Sequence, residues 1–141
     1  MEIKNCLISD VEEILNYINI TYKKDIFLRK IFIVIVDRVK DSNINPFNIS
    51  EVCDSLCVSE RTFYRRLKEK NRTYSGVKSE FRRIYSIYLL SSKKYTVKQI
   101  SQILFFKNST SFINSFKCWY SCTPKQWSIL ELRKDYYLSF D

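Results

Sequence analysis

Two small sets of polar side chains stand out for the hydrogen bonds that they could make. In the first set, Arg61, Tyr64 and Arg65 lie three and four residues apart. The second set is Thr110 with Asn114. Residues at this spacing share one face of a helix. Arginine can donate two hydrogen bonds to guanine, and asparagine can form two with adenine. The spacing therefore predicts two helix faces that could read base edges.

Side chains around these faces could contact phosphate oxygens. Phosphates and sugars together take part in about half to two-thirds of protein–DNA hydrogen bonds. The phosphate candidates are Ser59, Thr62, Arg66, Lys68, Arg72, Lys107, Asn108, Ser109, Ser111 and Lys117. For the cationic members, and for Lys70, the alternative is an ordinary solvated surface. Arg82 could contact DNA, or it could pair internally and steady its own helix.

The positive charge is concentrated in the part of the chain that carries these candidates. The 141 residues have a net charge of +9. Residues 48–127 hold 15 Lys or Arg against 5 Asp or Glu, whereas residues 1–47 hold 7 of each. A local basic excess suits a polyanion, because phosphate contacts release counterions. A basic surface that only aids solubility explains the charge about as well.

The elements that must position these residues repeat one pattern: a short amphipathic helix, a tight turn, a polar cap and a second helix. In the first copy, residues 50–56 form the supporting helix, and Ser59 caps a second helix to about Lys70. Phe63 and Leu67 face the core, four residues apart. In this arrangement the candidate base-reading side chains lie on the outer face.

The second copy follows the same order. Thr96 caps its supporting helix, and residues 104–106 form the turn. Asn108 or Ser109 caps the second helix, which runs to about Trp119. Its core anchors are Phe112 and Phe116.

The rest of the chain completes an all-α fold of about seven helices, with a short extra helix at the N-terminus. We predict an N-terminal helical segment over 1–24, a first helix-turn-helix subdomain over 25–72 and a linker helix over 73–92. A second helix-turn-helix subdomain covers 93–132, and a tail covers 133–141. The linker could hold the two recognition helices about 34 Å apart, one turn of DNA.

The N-terminal segment carries an apolar stripe of its own. Ser9 and Asp10 are cap residues for a helix that runs to about Tyr22. The stripe consists of Val11, Ile14, Leu15 and Ile18. It could pack internally or bind a partner helix.

Composition excludes several classes of function. The chain has no histidine, which removes Ser-His-Asp and Cys-His catalysis and all zinc sites that contain histidine. With a single glycine it lacks a glycine-rich phosphate loop. The pairs Cys53/Cys57 and Cys118/Cys122 lack the usual CxxC spacing of zinc sites, so free thiols are expected. We therefore expect no catalytic residues, no metal and no cofactor.

From about residue 47 to residue 127 the chain resembles the DNA-binding domain of the AraC/XylS family of bacterial transcription regulators. The matching positions are Ser59, Phe63-Tyr64-Arg65-Arg66-Leu67-Lys68, Arg82, Leu89-Leu90, Ile100, Phe106, Ser109-Thr110-Ser111-Phe112, Phe116-Lys117, Thr123-Pro124 and Trp127. The resemblance implies two helix-turn-helix units joined by a long helix. It also implies that both recognition helices enter adjacent major-groove segments of double-stranded DNA.

Three positions depart from the family pattern. Phe105 stands where the second turn usually carries a glycine, and Cys57 stands at a position that is often small or polar. Asn114 replaces a common arginine, and asparagine cannot make the bidentate guanine contact. We therefore expect the first unit to supply more charge and affinity, and the second to supply weaker, A·T-leaning contacts.

The predicted function is that of a sequence-specific transcriptional regulator, expected to be an activator, in the bacterial cytoplasm at the nucleoid. The resemblance implies RNA polymerase as a partner, and dimerisation through the N-terminal segment or a missing N-terminal domain. A role in virulence or stress rests on compositional style alone. The alternative is a protein-interaction module of the same fold that binds another regulator.

Overall fold

A computed structural model describes the backbone of residues 2–41 and 43–130, and the side chains of residues 12–41 and 43–130. All regular elements in these ranges are helices, which confirms the predicted all-α fold. The helices are α1 (Glu2–Thr21), α2 (Ile26–Arg38), α3 (Ile49–Leu56), α4 (Glu60–Glu69), α5 (Tyr74–Ser91), α6 (Val97–Ile103) and α7 (Ser109–Tyr120). Residues 124–130 form a further helical segment.

The chain divides into two compact units, Met1–Tyr85 and Ser86–Asp141. The boundary falls within α5, the helix that covers the predicted linker. Each unit contains one helix-turn-helix pair, α3–α4 in the first and α6–α7 in the second. The five finer subdomain ranges stay a prediction.

The first unit is built around aromatic rings contributed by several helices. Phe81 of α5 lies 5.9 Å from Phe32 of α2 and 5.9 Å from Phe47, measured between ring centroids. Phe63 of α4 meets Tyr74 edge to face at 5.3 Å. Edge-to-face pairs at this distance add to the free energy gained from burial alone. These contacts hold α2 and α4 against α5.

The N-terminal helix begins earlier than predicted and buries its apolar stripe. We expected it to begin at Ser9 or Asp10, whereas α1 begins at Glu2. Residues 2–21 contain neither glycine nor proline, so no strong breaker interrupts the helix, and Ser or Asp inside it costs little. Ile14 and Ile18 are fully buried and Leu15 is half-buried. The Val11 side chain lies outside the described residues.

The second unit has its own core. Ile100, Leu104, Phe112 and Phe116 are fully buried, which confirms Phe112 and Phe116 as the predicted core anchors. Beyond α7, Trp127 is half-buried, whereas Leu130 is 50% exposed. Leu130 is the last described residue of its helical segment, and the predicted tail over 133–141 lies outside the described residues.

Candidate nucleic-acid interface

The first recognition helix, α4, is fixed at its N-terminus and along one face. The Ser59 side chain accepts a hydrogen bond from the Thr62 backbone N–H at 3.1 Å, as the predicted cap requires. Phe63 and Leu67 are 0% and 2% exposed, so burial holds the inner face in place. The opposite face is thereby presented to solvent.

All three predicted base-edge residues of α4 are exposed on that outer face. Arg61 and Arg65 are exposed, and Tyr64 is 47% exposed while its ring rests edge-on against Phe63 at 5.7 Å. The Arg65 Nε lies 3.8 Å from an Oε of Glu69, one turn further on. An ion pair between two such exposed groups stabilises by less than about 1 kcal/mol. Arg65 is therefore aligned along the helix yet able to exchange Glu69 for another acceptor.

The phosphate candidates of the first unit occupy different environments. Ser59 donates to the Thr62 Oγ1 at 3.0 Å, so both hydroxyls lie at the N-terminus of α4. Lys68 is exposed on the outer face. Arg66 is turned toward α2, where its guanidinium lies 5.4 Å from the Phe27 ring centroid.

Arg72, also predicted to contact phosphate, joins three parts of the first unit. Its Nη1 donates to the Glu80 Oε2 of α5 at 2.8 Å. Its Nε lies 3.9 Å from Asp25, the N-cap of α2. Glu80 also accepts a hydrogen bond from the Tyr22 hydroxyl at 2.6 Å, at the end of α1. This position favours a structural role for Arg72 over the predicted phosphate contact.

Arg82 is likewise held inside the first unit. Its guanidinium lies 4.7 Å from the Phe47 ring centroid, a cation–π distance. Burial lowers the pKa of the Arg82 guanidinium. Of the two alternatives for this residue, internal pairing agrees with its position.

One positioning residue was missed by the sequence reasoning. Arg38, at the end of α2, donates to the carbonyl oxygens of Asn45 and Pro46 at 2.9 and 3.2 Å, and it forms an ion pair with Glu51 of α3. Its side chain is 13% exposed. Arg38 thus ties α3 to α2 and to the connecting loop. No local periodicity signals such a contact, because the partners are 7 to 13 residues away.

The two turns have the same backbone geometry. In the first turn Cys57 has φ 57°, and the Val58 N–H donates to the Cys53 carbonyl oxygen at 3.1 Å. In the second turn Phe105 has φ 58°, and the Phe106 N–H donates to the Ser101 carbonyl oxygen at 2.9 Å. This left-handed helix end usually carries glycine. Phe105, which stands where the family usually has this glycine, adopts the positive φ.

The second recognition helix, α7, is also capped and anchored, but it presents less charge. Of the two predicted caps, Asn108 is the one observed, since its Oδ1 accepts from the Ser111 N–H at 2.8 Å. Thr110 and Asn114, the predicted base-edge residues, are exposed. Among the remaining phosphate candidates Lys107 and Lys117 are exposed, and Ser109 and Ser111 are half-buried.

The described cysteines are free thiols in different environments. Cys53 is buried, which raises its pKa, whereas Cys57 is exposed although it lies only four residues further on. Cys118 is exposed and Cys122 is half-buried. Among the described residues, no group of three or more Cys, Asp or Glu side chains could hold a metal ion. Within the same ranges, no helix combines the length and the apolar character that a bilayer span needs.

Known proteins are similar to this chain over the part that contains both recognition helices. A family described as "Helix-turn-helix domain" matches residues 52–128. The porin thermoregulatory protein EnvY of Escherichia coli K12 is 31% identical over 90 residues, which are 63% of this chain and 36% of EnvY. The transcriptional activator PerA of Escherichia coli O127:H6 is 23% identical over 120 residues, 85% of this chain and 42% of PerA. The chain spans less than half the length of each relative.

A solved structure has the same fold. It is the crystal structure of a DNA-binding transcriptional dual regulator from Escherichia coli K-12, with a TM-score of 0.67 and 17% identity, covering 76% of this chain and 93% of that one. The family match covers more than half of the chain and includes both turns and both recognition helices. The predicted resemblance is thereby confirmed: the chain belongs to the AraC-type helix-turn-helix family.

Proposed function

We propose that the chain is a sequence-specific, double-stranded DNA-binding transcriptional regulator that inserts α4 and α7 into major-groove segments. The observation that carries this proposal is the outer face of α4, where Arg61, Tyr64 and Arg65 are all exposed on a helix whose other face is buried. A helix packed on one side and polar on the other is the form in which helix-turn-helix proteins present base-reading side chains. Family membership supports the same function.

The two recognition helices are proposed to contribute unequally. The exposed face of α4 carries Arg61, Arg65 and Lys68, whereas the exposed face of α7 carries Thr110, Asn114 and Lys117. Arginine supports bidentate guanine contacts, and asparagine supports adenine contacts. We therefore propose tighter specification, and a larger share of the affinity, under the first unit.

The proposal also covers where the regulator acts, how it activates transcription and how it dimerises. The chain is proposed to act by binding rather than by catalysis, in the bacterial cytoplasm where the nucleoid lies. Activation is proposed to run through contact with RNA polymerase, with dimerisation provided by residues 1–24 or by a further domain. Family membership supports these roles. The Ile14 and Ile18 side chains are buried in the first unit, so dimerisation through the N-terminal segment would need its other face.

An electrophoretic mobility shift with duplex fragments tests the proposal. The chain is incubated at moderate salt with genomic promoter fragments and with shuffled duplexes of equal length and composition. Specific binding should exceed binding to the shuffled duplexes by about 10³-fold or more. Equal affinity for every duplex would reject sequence-specific regulation and leave only electrostatic DNA binding.

A further inference from the structure

A shallow pocket of about 320 Å³ lies between the start of α2 and the second half of α4, within the first unit. It is lined by Ile26, Phe27, Lys30, Arg66, Glu69 and Lys70. We propose that this α2–α4 pocket binds an acidic, amphipathic helical segment of a protein partner. The site is separate from the base-reading face and does not depend on the proposed DNA function.

The apolar part of the pocket comes from the first turn of α2. Ile26 is 55% exposed, and Phe27 beside it is half-buried with its ring against Phe63 at 5.7 Å. A single exposed isoleucine needs no explanation on a protein surface. Here, however, Ile26 and Phe27 form one wall of a concave site, where an apolar side chain of a partner would be removed from water.

The cationic groups of the pocket differ in their distances from carboxylates. Lys70 lies 4.0 Å from Asp25, and Glu69 lies 3.8 Å from Arg65, so these lining charges are partly satisfied. Among the described residues, by contrast, neither Lys30 nor Arg66 has a carboxylate within 4.0 Å. The Arg66 guanidinium is held over the Phe27 ring at 5.4 Å. An apolar wall beside two unpaired cations is complementary to a partner that offers carboxylates around an apolar side chain.

The direction of Arg66 separates this pocket from the face that reads bases. Successive residues of a helix point about 100° apart. Arg65 lies on the exposed outer face, whereas Arg66 is turned toward α2, as its contact with Phe27 shows. The exposed Ile26 gives a phosphate no hydrogen bond, whereas it can pack against an apolar side chain of a protein segment. The lining therefore favours a protein segment over the DNA backbone.

Titration of the full ¹⁵N-labelled chain with a synthetic peptide tests the proposal. The probe is a 16-residue amphipathic helix with leucines on one face and Asp and Glu on the rest, and the control peptide replaces each leucine with serine. We expect saturable binding of the leucine peptide, with amide shifts confined to residues 26–30 and 66–70. Lys30→Glu should weaken this binding roughly tenfold.

A matched control variant and a measurement of DNA affinity complete the experiment. Lys23→Glu makes the same charge reversal at an exposed lysine of the first unit outside the pocket, and should leave peptide affinity within about twofold. Thermal melts establish that both variants fold. Absence of saturable binding, or shifts centred on Arg61 and Arg65, would overturn the proposal. Equally, a loss of DNA affinity in Lys30→Glu without peptide binding would assign the pocket to the phosphate backbone instead.

Discussion

Arg65 is the side chain on which the first unit's specificity is expected to depend most. It lies on the exposed face of α4, and its Nε lies 3.8 Å from an Oε of the exposed Glu69. Arg65→Ala should lower specific DNA affinity by about 1–3 kcal/mol and relax the preference at one base pair. Binding titrations with single-base-pair variants of the site measure both effects.

Lys23→Ala is the control for that experiment, because Lys23 is exposed in the first unit but lies outside α4. It should change neither affinity nor preference. If Arg65→Ala lowered the affinity for all site variants by the same factor, Arg65 would be a phosphate contact rather than a base reader.

Phe105 should be a source of backbone strain that glycine relieves. At φ 58° an L-residue is disfavoured relative to glycine. Replacing Phe105 with Ala or with Gly removes the same ring, but only Gly also removes the Cβ. Phe105→Gly should therefore be more stable than Phe105→Ala by about 1 kcal/mol, the reverse of their order inside an ordinary helix. Chemical denaturation measures the difference, and Ala equal to or above Gly would argue against a left-handed residue here.

At the scale of residues, the sequence predicted caps and buried anchors better than ionic contacts. The Ser59 and Thr96 caps follow from local rules and are observed. Arg72 and Arg82 looked alike as candidate DNA contacts, because a sequence shows charge but not what folds against it. Glu80 lies 8 residues from Arg72, and Phe47 lies 35 residues before Arg82, so neither pairing has a local signature.

The hydrogen bond from Tyr22 to Glu80 should make the free energy of unfolding decrease at alkaline pH. Burial, together with the hydrogen bond to Glu80, raises the pKa of the Tyr22 hydroxyl above its ordinary value of about 10. The neutral hydroxyl is thus favoured in the folded chain. The hydrogen bond therefore stabilises the fold fully below about pH 10. Above that pH the Tyr22 hydroxyl ionises more readily in the unfolded chain than in the folded one, so this stabilisation is lost.

Tyr22→Phe isolates this contribution while keeping the ring against Phe32. The variant should be less stable than the parent by about 1 kcal/mol at pH 8, the worth of one hydrogen bond. This difference in the free energy of unfolding should decrease above about pH 10. Urea denaturation of both proteins from pH 8 to 11 measures it. Tyr74, whose pKa burial also raises, titrates in both proteins and so cancels from the difference. A gap that stays constant or widens with pH would contradict the account.

Among the helices, the sequence predicted the positions of most correctly but the start of α1 incorrectly. Both supporting helices, both recognition helices and the long α5 lie where spacing and caps predicted them. The start of α1 was misplaced, because Ser9 and Asp10 are good caps but do not forbid continuation of a helix that lacks a breaker. Positive φ at Cys57, Lys93 and Ser121 had no marker in the sequence, whereas asparagine tolerates this conformation at Asn71 and Phe105 stands where glycine is usual.

For the whole molecule, the localised charge predicts strongly salt-dependent DNA binding. The logarithm of the binding constant should fall linearly with the logarithm of salt concentration, with a slope of about −0.9 for each phosphate contact. Lys68→Ala should reduce the magnitude of that slope by about 1 and weaken all sequences alike. Titrations at several salt concentrations give the slope, and an unchanged slope would remove Lys68 from the interface.

Two unequal recognition helices are proposed to read one DNA site, and selection from a random duplex library tests this proposal. The full chain, Arg65→Ala and Asn114→Ala are each used to enrich bound duplexes, which are then sequenced. We predict a two-part motif for the full chain, with Arg65→Ala relaxing one part and Asn114→Ala relaxing only the other, less stringent part. Enrichment of no motif, or of a motif that neither variant alters, would contradict the account.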